Sequence, residues 1–302
     1  MTSPFRPLVR LLTGDLLDFD PKLFLEPPGE PAVAGPGSVS WQVFGNPVAL
    51  AVGGIAAVLL ELGEPRVRAG VWDHSSFRSD PGERIRRTGL GALITAFAGT
   101  SRFAAYADRV NGIHAQVRGE TPEGQPYRAD QPELLRWVQA TAAFCFVESY
   151  AALVRPLSPR ESDAFYAEAA AGARYYRVAD APASQAEMGR YLAGMRVALS
   201  PSPVIAEFLS IMRERPVLPP ALRWLQPVLV RGAIERVPPA FREQLGIAGE
   251  QGLSAGERRL LRLAAAAAER IRLPNDPRSL AEQRLSRRPP SASLAGAAPP
   301  RS

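Results

Sequence analysis

The chain has 302 residues, a formal net charge of +6 and a hydrophobic fraction of 46%, enough to bury a sizeable core as one large domain or two small ones. The charge does not make it a nucleic-acid binder: residues 269–302 hold seven arginines against Glu269, Asp276 and Glu282, so +4 of the +6 sits there, and no RNP, helix-turn-helix or zinc-finger pattern accompanies it. The one cysteine, Cys145, closes no intramolecular disulfide and calls for no oxidising compartment.

Alanine, leucine and arginine dominate and strand-like alternation is scarce, so the expected fold is all-α, a single-domain helical bundle. Lys22 is the single lysine among 36 basic residues, a bias of codon usage rather than of recognition chemistry. Residues 1–25 read as a short helix and an acidic turn with Asp15, Asp18 and Asp20, and nothing in Met1–Leu12 has the apolar core of a secretory signal. A proline- and glycine-rich loop over 27–40 leads to a helix from Trp41 to Leu62, with Pro47 in its first turns. Its apolar run, Val48–Leu60, falls short of the about 20 residues that span a bilayer. Gly63-Glu64-Pro65 breaks this helix, and a short one follows over Arg66–Trp72.

Asp80-Pro81-Gly82-Glu83 is a helix start, with Asp80 as N-cap and Glu83 completing a capping box; Gly99 ends that helix. Thr100 or Ser101 caps the next, which runs to Gly119. After a loop over 119–129, Asp130-Gln131-Pro132-Glu133 opens a long helix with Leu134, Val138, Thr141 and Cys145 on one stripe. Further helices are expected at 159–171, 184–198, 202–214, 219–236 and 254–272. The expected divisions are 1–25, a helical domain over 26–285, and a disordered basic tail rich in Pro, Ala and Ser over 286–302. The chain reads as cytoplasmic, with peripheral membrane contact through that tail left open.

The chain has only two histidines. Phe103, Tyr106, Val110, His114 and Val117 recur at helical spacing, so His114 shares an otherwise apolar face and should point inward. An enclosed imidazole needs a hydrogen-bond partner or a metal, and imidazole is a common axial ligand of haem iron. Taken alone, His114 reads first as a satisfied core histidine. Arg84, Arg87, Thr88, Gly91 and Thr95 share a second face. There an arginine and a hydroxyl suit haem propionates or bound oxygen, or else form an ordinary charged face paired with Glu83 or Asp80. His74, in the polar turn Asp73-His74-Ser75-Ser76, reads as a helix-capping hydrogen bonder, with contact to a haem propionate as the alternative. Glu61 and Glu64 read as a solvated helix end, and Cys145, Met188 and Met195 as core. Ser75 and Ser76 lack the nucleophile elbow of a hydrolase.

Four runs in order carry a family resemblance: Val71-Trp72-Asp73-His74-Ser75-Ser76-Phe77, Arg84-Ile85-Arg86-Arg87-Thr88, Val110-Asn111-Gly112-Ile113-His114, and Tyr127-Arg128-Ala129-Asp130 through Trp137-Val138. With Leu218-Pro219-Pro220 and Val237-Pro238-Pro239, they make residues 45–250 resemble the family that joins the bacterial rubber oxygenases (latex-clearing proteins) with the fungal oxygenase of mycophenolic acid biosynthesis. The resemblance implies an all-helical, globin-like core around haem b and oxidative cleavage of isoprenoid double bonds with dioxygen. It implies that His114 is the proximal iron ligand. It makes Arg84 and Thr88 the matches of the family's Arg-x-x-(Lys/Arg)-Thr pattern, and puts Arg87 where the rubber enzymes have a distal-side lysine. Where those enzymes have a glutamate base, the equivalent spacing here gives Arg68, with Glu61 and Glu64 nearby but not aligned.

The expectation is therefore a haem b-dependent oxygenase, with iron on His114. Arg84 and His74 would help to hold the cofactor, and Arg84, Arg87 and Thr88 would line the reaction site. Dioxygen and a hydrophobic small molecule, isoprenoid or polyketide, would be its substrates. The alternatives are a non-catalytic haem sensor or carrier and a helical interaction module without a cofactor.

Overall fold

Prolines and capping side chains set most of the helix boundaries. The computed structural model describes residues 19–287 except Pro219. Two short helices, α1 (Lys22–Leu25) and α2 (Val39–Phe44), lead into α3 (Pro47–Glu61), α4 (Pro65–His74), α5 (Pro81–Phe97) and α6 (Thr100–His114). A hairpin, β1 (Arg118–Glu120) and β2 (Pro126–Arg128), precedes α7 (Pro132–Leu153) and α8 (Pro159–Ala173). Then come α9 (Gln185–Met195), α10 (Pro203–Glu214), α11 (Gln226–Arg236), α12 (Pro239–Gln244), α13 (Ala255–Arg270) and α14 (Pro277–Ser286). Proline stands in the first turn of α3, α4, α5, α7, α8, α10 and α14, where its fixed φ suits the helix and its missing N–H costs nothing. Asn46, Glu64, Asp80, Ser158, Ser202 and Asp276 each accept a backbone N–H as N-caps. The fold is all-α, as the composition implies.

Several boundaries differ from the sequence-based reading. The helix expected over Trp41–Leu62 is two, because the Asn46 side chain caps a new start on Ala49 N. Asp80 caps α5 through Glu83 N, but Glu83 turns to Arg86 instead of closing a box. Gly99 takes the N-cap of α6, while Thr100 and Ser101 bond Pro31 and Glu30. The Asp130 box is absent, since Asp130 pairs with Arg128 and Gln131 is the N-cap. The helix carrying His114 stops at that residue, and the segment read as a loop contains the hairpin, with Gly119 opposite Tyr127. The helices expected at 184–198 and 219–236 end and begin, respectively, in 3₁₀ turns. Asp15, Asp18 and the tail from Arg288 onward lie outside the described residues.

The core is built around α3 and α7. At their contact a Cβ on Gly53 would come within 2.7 Å of Phe146 and 3.0 Å of the Cys145 carbonyl, so only glycine permits this approach. Cys145 is buried there, as core packing predicts. A second apolar cluster joins the ends of the described chain: Phe24, Trp41, Phe97 and Phe103 with Leu280 and Ala281 of α14. Arg284 lies wholly inside this layer and donates to the carbonyls of Phe24 (2.6 Å), Phe97 (2.8 Å) and Glu30 (2.9 Å). Residues 19–25 thus pack as part of the domain rather than beside it.

Candidate functional site

Helices α3, α5, α6, α7 and α8 each turn one face to a shared, mainly apolar cavity of about 790 Å³, within the usual size range of small-molecule sites. The α5 residues read from the sequence, Arg84, Arg87, Thr88, Gly91 and Thr95, all line it, together with most of the helix between Arg84 and Phe97. On α6, Tyr106, Val110 and His114 line it, with Val117 just beyond the helix; Phe103 is buried in the neighbouring cluster instead. Gly91 is small for a reason, because a Cβ there would meet the Tyr106 hydroxyl at 2.4 Å.

His114 is the last residue of α6. Its Nδ1 is enclosed and has no hydrogen-bond partner. Burial, then the positive charge of Arg84, lowers its pKa against a weaker pull from Asp130, so the imidazole is neutral at physiological pH. A neutral imidazole is the form that binds a metal. Among the described residues no group of three or more His, Cys, Asp or Glu side chains converges to hold a bare ion. A single imidazole on the wall of a large, mainly apolar cavity fits a metal whose other ligands come from an organic cofactor.

Arg84 makes no ion pair of the kind expected with Glu83 or Asp80; Glu83 pairs with Arg86. The Arg84 Nε is enclosed and unpartnered. Burial lowers its pKa, opposed by the charge of Glu61 and aided by that of Arg87. Thr88 lines the cavity, yet its hydroxyl donates 2.9 Å to the Arg84 carbonyl, the back-bonding usual for threonine within a helix. Thr95 does the same to Gly91 and also meets the Tyr176 hydroxyl at 2.8 Å. Arg87, Thr88 and His74 are exposed members of the lining. His74 stands edge-on to Tyr127, with ring centroids 6.4 Å apart, and the caps of α4 and α5 come from Glu64 and Asp80 instead of from it. Met188 is buried in the core and Met195 packs on it; neither lines the cavity.

Sequence reasoning missed Glu61. Read as a solvated helix end, it instead lines the cavity beside Arg84. Burial pushes its pKa up to about 7, with Arg84 opposing. The signal was available, since Glu61 continues the α3 face of Ala51, Gly54 and Val58 at helical spacing. Its neighbour Glu64 is buried as the cap of α4 and paired with Arg66. Arg68, the residue at the spacing of the rubber enzymes' glutamate, donates to Leu62 and Ser200 and does not line the cavity.

A folded-state pKa raised above 4.5 makes Glu61 stabilising below that value, and the contribution is lost as pH rises through about 7. Glu61→Gln is therefore expected to match the parent chain at pH 4.5 and to exceed it at pH 8, by on the order of 3 kcal/mol at most. Urea midpoints at the two pH values measure this; an equal effect at both would show that Glu61 ionises normally.

Among the described residues no single helix is long and apolar enough to cross a membrane. A family model described as "ER-bound oxygenase mpaB/B'/Rubber oxygenase, catalytic domain" matches residues 41–270, a stretch that contains α3, α5, α6, α7 and α8. No curated protein and no solved structure matches the chain. With three quarters of its length matched by that model, and with the helical fold and cavity just described, the chain belongs to the mpaB/rubber oxygenase catalytic-domain family.

Proposed function

We infer that this oxygenase-family chain is haem b-dependent and acts with dioxygen on a hydrophobic substrate, of isoprenoid or polyketide type, held in the cavity. The observation that carries this reading is His114: a neutral imidazole on the wall of a large apolar cavity, with an enclosed ring nitrogen that has no partner. An unsatisfied polar atom of that kind costs free energy unless the site serves a ligand. His114 would hold the iron, and the haem when bound supplies the binding and activation of dioxygen.

The remaining roles follow from the side chains. Arg84 keeps a positive charge inside low-dielectric walls, where it is suited to a carboxylate of the cofactor or to a partly negative oxygen. Arg87 and His74, on the exposed part of the lining, suit carboxylates that reach toward water. Thr88 spends its hydroxyl proton on the Arg84 carbonyl and so fixes the local turn. Glu61 exchanges a proton near neutral pH and can give or take one at the buried end of the site. Apolar walls exclude water from the reacting atoms.

Oxygen uptake by the haem-loaded protein with an apolar alkene, followed by product analysis, tests the reading. Coupled uptake and an oxygenated product are expected. Reversible oxygen binding without product would make the protein a carrier. Arg84→Ala is expected to lower the rate at least tenfold with unchanged circular dichroism, the scale of losing one electrostatic stabiliser. Loss of helix content instead would mark Arg84 as structural.

A further inference from the structure

The cavity is elongated. On α3 its wall runs through Pro47, Ala51, Gly54, Val58 and Glu61, and on α7 through Leu135, Gln139, Ala142 and Phe146. Steps of three and four residues keep each set on one helix face. Pro47 to Glu61 covers about 21 Å at 1.5 Å per residue. At one end of this wall Glu61 and His114 both feel the charge of Arg84. Toward the start of α3 the walls are aromatic: Phe44 lies 5.1 Å from Phe146 and 6.3 Å from Phe165, centroid to centroid. The acidic residues of the lining at that end are already bonded: Glu168 by the backbone N–H groups of Val39 (3.3 Å) and Ser40 (2.8 Å), Glu269 by Asn46 (3.0 Å), and Asp276 by Ser279 N (2.8 Å). The α3 wall from Ala51 to Val58 therefore offers a ligand only apolar contact.

Gly54 lies midway along this wall. A Cβ there would touch only Phe146, at 3.9 Å, so a larger side chain would grow into the open cavity and not into a neighbouring helix. Gly53, one residue away, has no such room.

We propose that the cavity binds a linear aliphatic chain laid along α3, with its reacting part beside Glu61 and Arg84 and its tail among the aromatic rings, and that Gly54 sets how long a tail is accepted. The assignment of a reacting end rests on the oxygenase reading; the binding of the chain does not require haem. An extended chain advances roughly 1.3 Å per carbon, the projection of a single C–C bond, so the wall accommodates about sixteen carbons.

The test is displacement of a dansyl-labelled fatty acid from the full-length purified protein by straight-chain 1-alkanols of increasing length. In the parent protein, affinity should rise about fourfold per methylene, the equivalent of ~0.8 kcal/mol, and level off near sixteen carbons. Gly54→Leu should level off several carbons earlier and bind short alkanols as before. The substitution replaces a poor helix former by a good one, so helix α3 should persist. Ala51→Leu, one turn closer to Pro47, is the second variant and should shorten the limit less. A limit unmoved in both variants, or no length dependence in the parent, overturns the proposal. A length limit in a protein that takes up no haem would keep this inference and remove the haem reading; normal haem uptake without a length limit would do the reverse.

Discussion

His114→Ala is expected to reduce haem content from about one per chain to less than a tenth of that, while helix content stays unchanged. The imidazole ends α6 and lies outside the apolar clusters that hold the helices together. Its enclosed Nδ1 makes no hydrogen bond that the fold would lose. Removing an unpaired polar atom relieves a small cost, so the cofactor-free variant should unfold within about 1 kcal/mol of the parent. Haem binding has no comparable reserve, because no cluster of alternative ligands surrounds the site among the described residues. Haem per chain, measured by the pyridine haemochromogen method, and circular dichroism check the two halves. Equal haem content in parent and variant would take His114 out of the account.

Arg284→Ala should destabilise the protein by about 3–5 kcal/mol, since three buried carbonyls each lose a donor at about 1–3 kcal/mol, partly offset by the relieved cost of burying the guanidinium. Its guanidinium holds three carbonyls from separate places: Phe24 in α1, Glu30 in the following loop, and Phe97 at the end of α5. Burial lowers its pKa, and Glu30 opposes that shift. Alanine would leave the carbonyls of Phe24, Glu30 and Phe97 unpaired and open a void where the buried guanidinium stood. Lysine is not an adequate substitute, since one ammonium cannot reproduce the planar fork. Urea unfolding measures the effect, and a change below 1 kcal/mol would show that the helices pack without this contact. The same geometry predicts that a chain trimmed to residues 41–270 is much less stable than the full chain, because it loses Phe24, Glu30 and Arg284 together. Since α5 carries Arg84, Arg87 and Thr88, its anchored end also steadies the cavity wall.

Helix positions were legible in the sequence wherever proline and a capping side chain coincide, as at Asp80-Pro81 and Ser158-Pro159. That Tyr106, Val110 and His114 share one side of α6 followed from helical spacing, because that spacing depends on the backbone alone; on α5 the cavity borders most of the helix from Arg84 to Phe97, so spacing singles out no face there. Trp41–Leu62 was misread as one helix because its apolar pattern continues across Gly45-Asn46, and only the Asn46 side chain, bonded both to Ala49 N and to the Ala265 carbonyl of α13, makes the break. The hairpin is too short to show alternation; Tyr127, packed beneath Gly70 and Gly119, secures it. Glu61 was misassigned because a carboxylate at a helix end is usually solvated. What buries it is the approach of α5 and α7 around the cavity, which no local pattern records. Arg284 was likewise invisible, since its three partners lie up to 260 residues away in sequence.

The most direct test of the central claim is the absorption spectrum of the full-length protein purified after expression with ample haem. The account predicts a Soret band corresponding to about one haem b per chain, which shifts on addition of imidazole or carbon monoxide. A protein that folds, shows its helical circular dichroism and has no Soret band would contradict it.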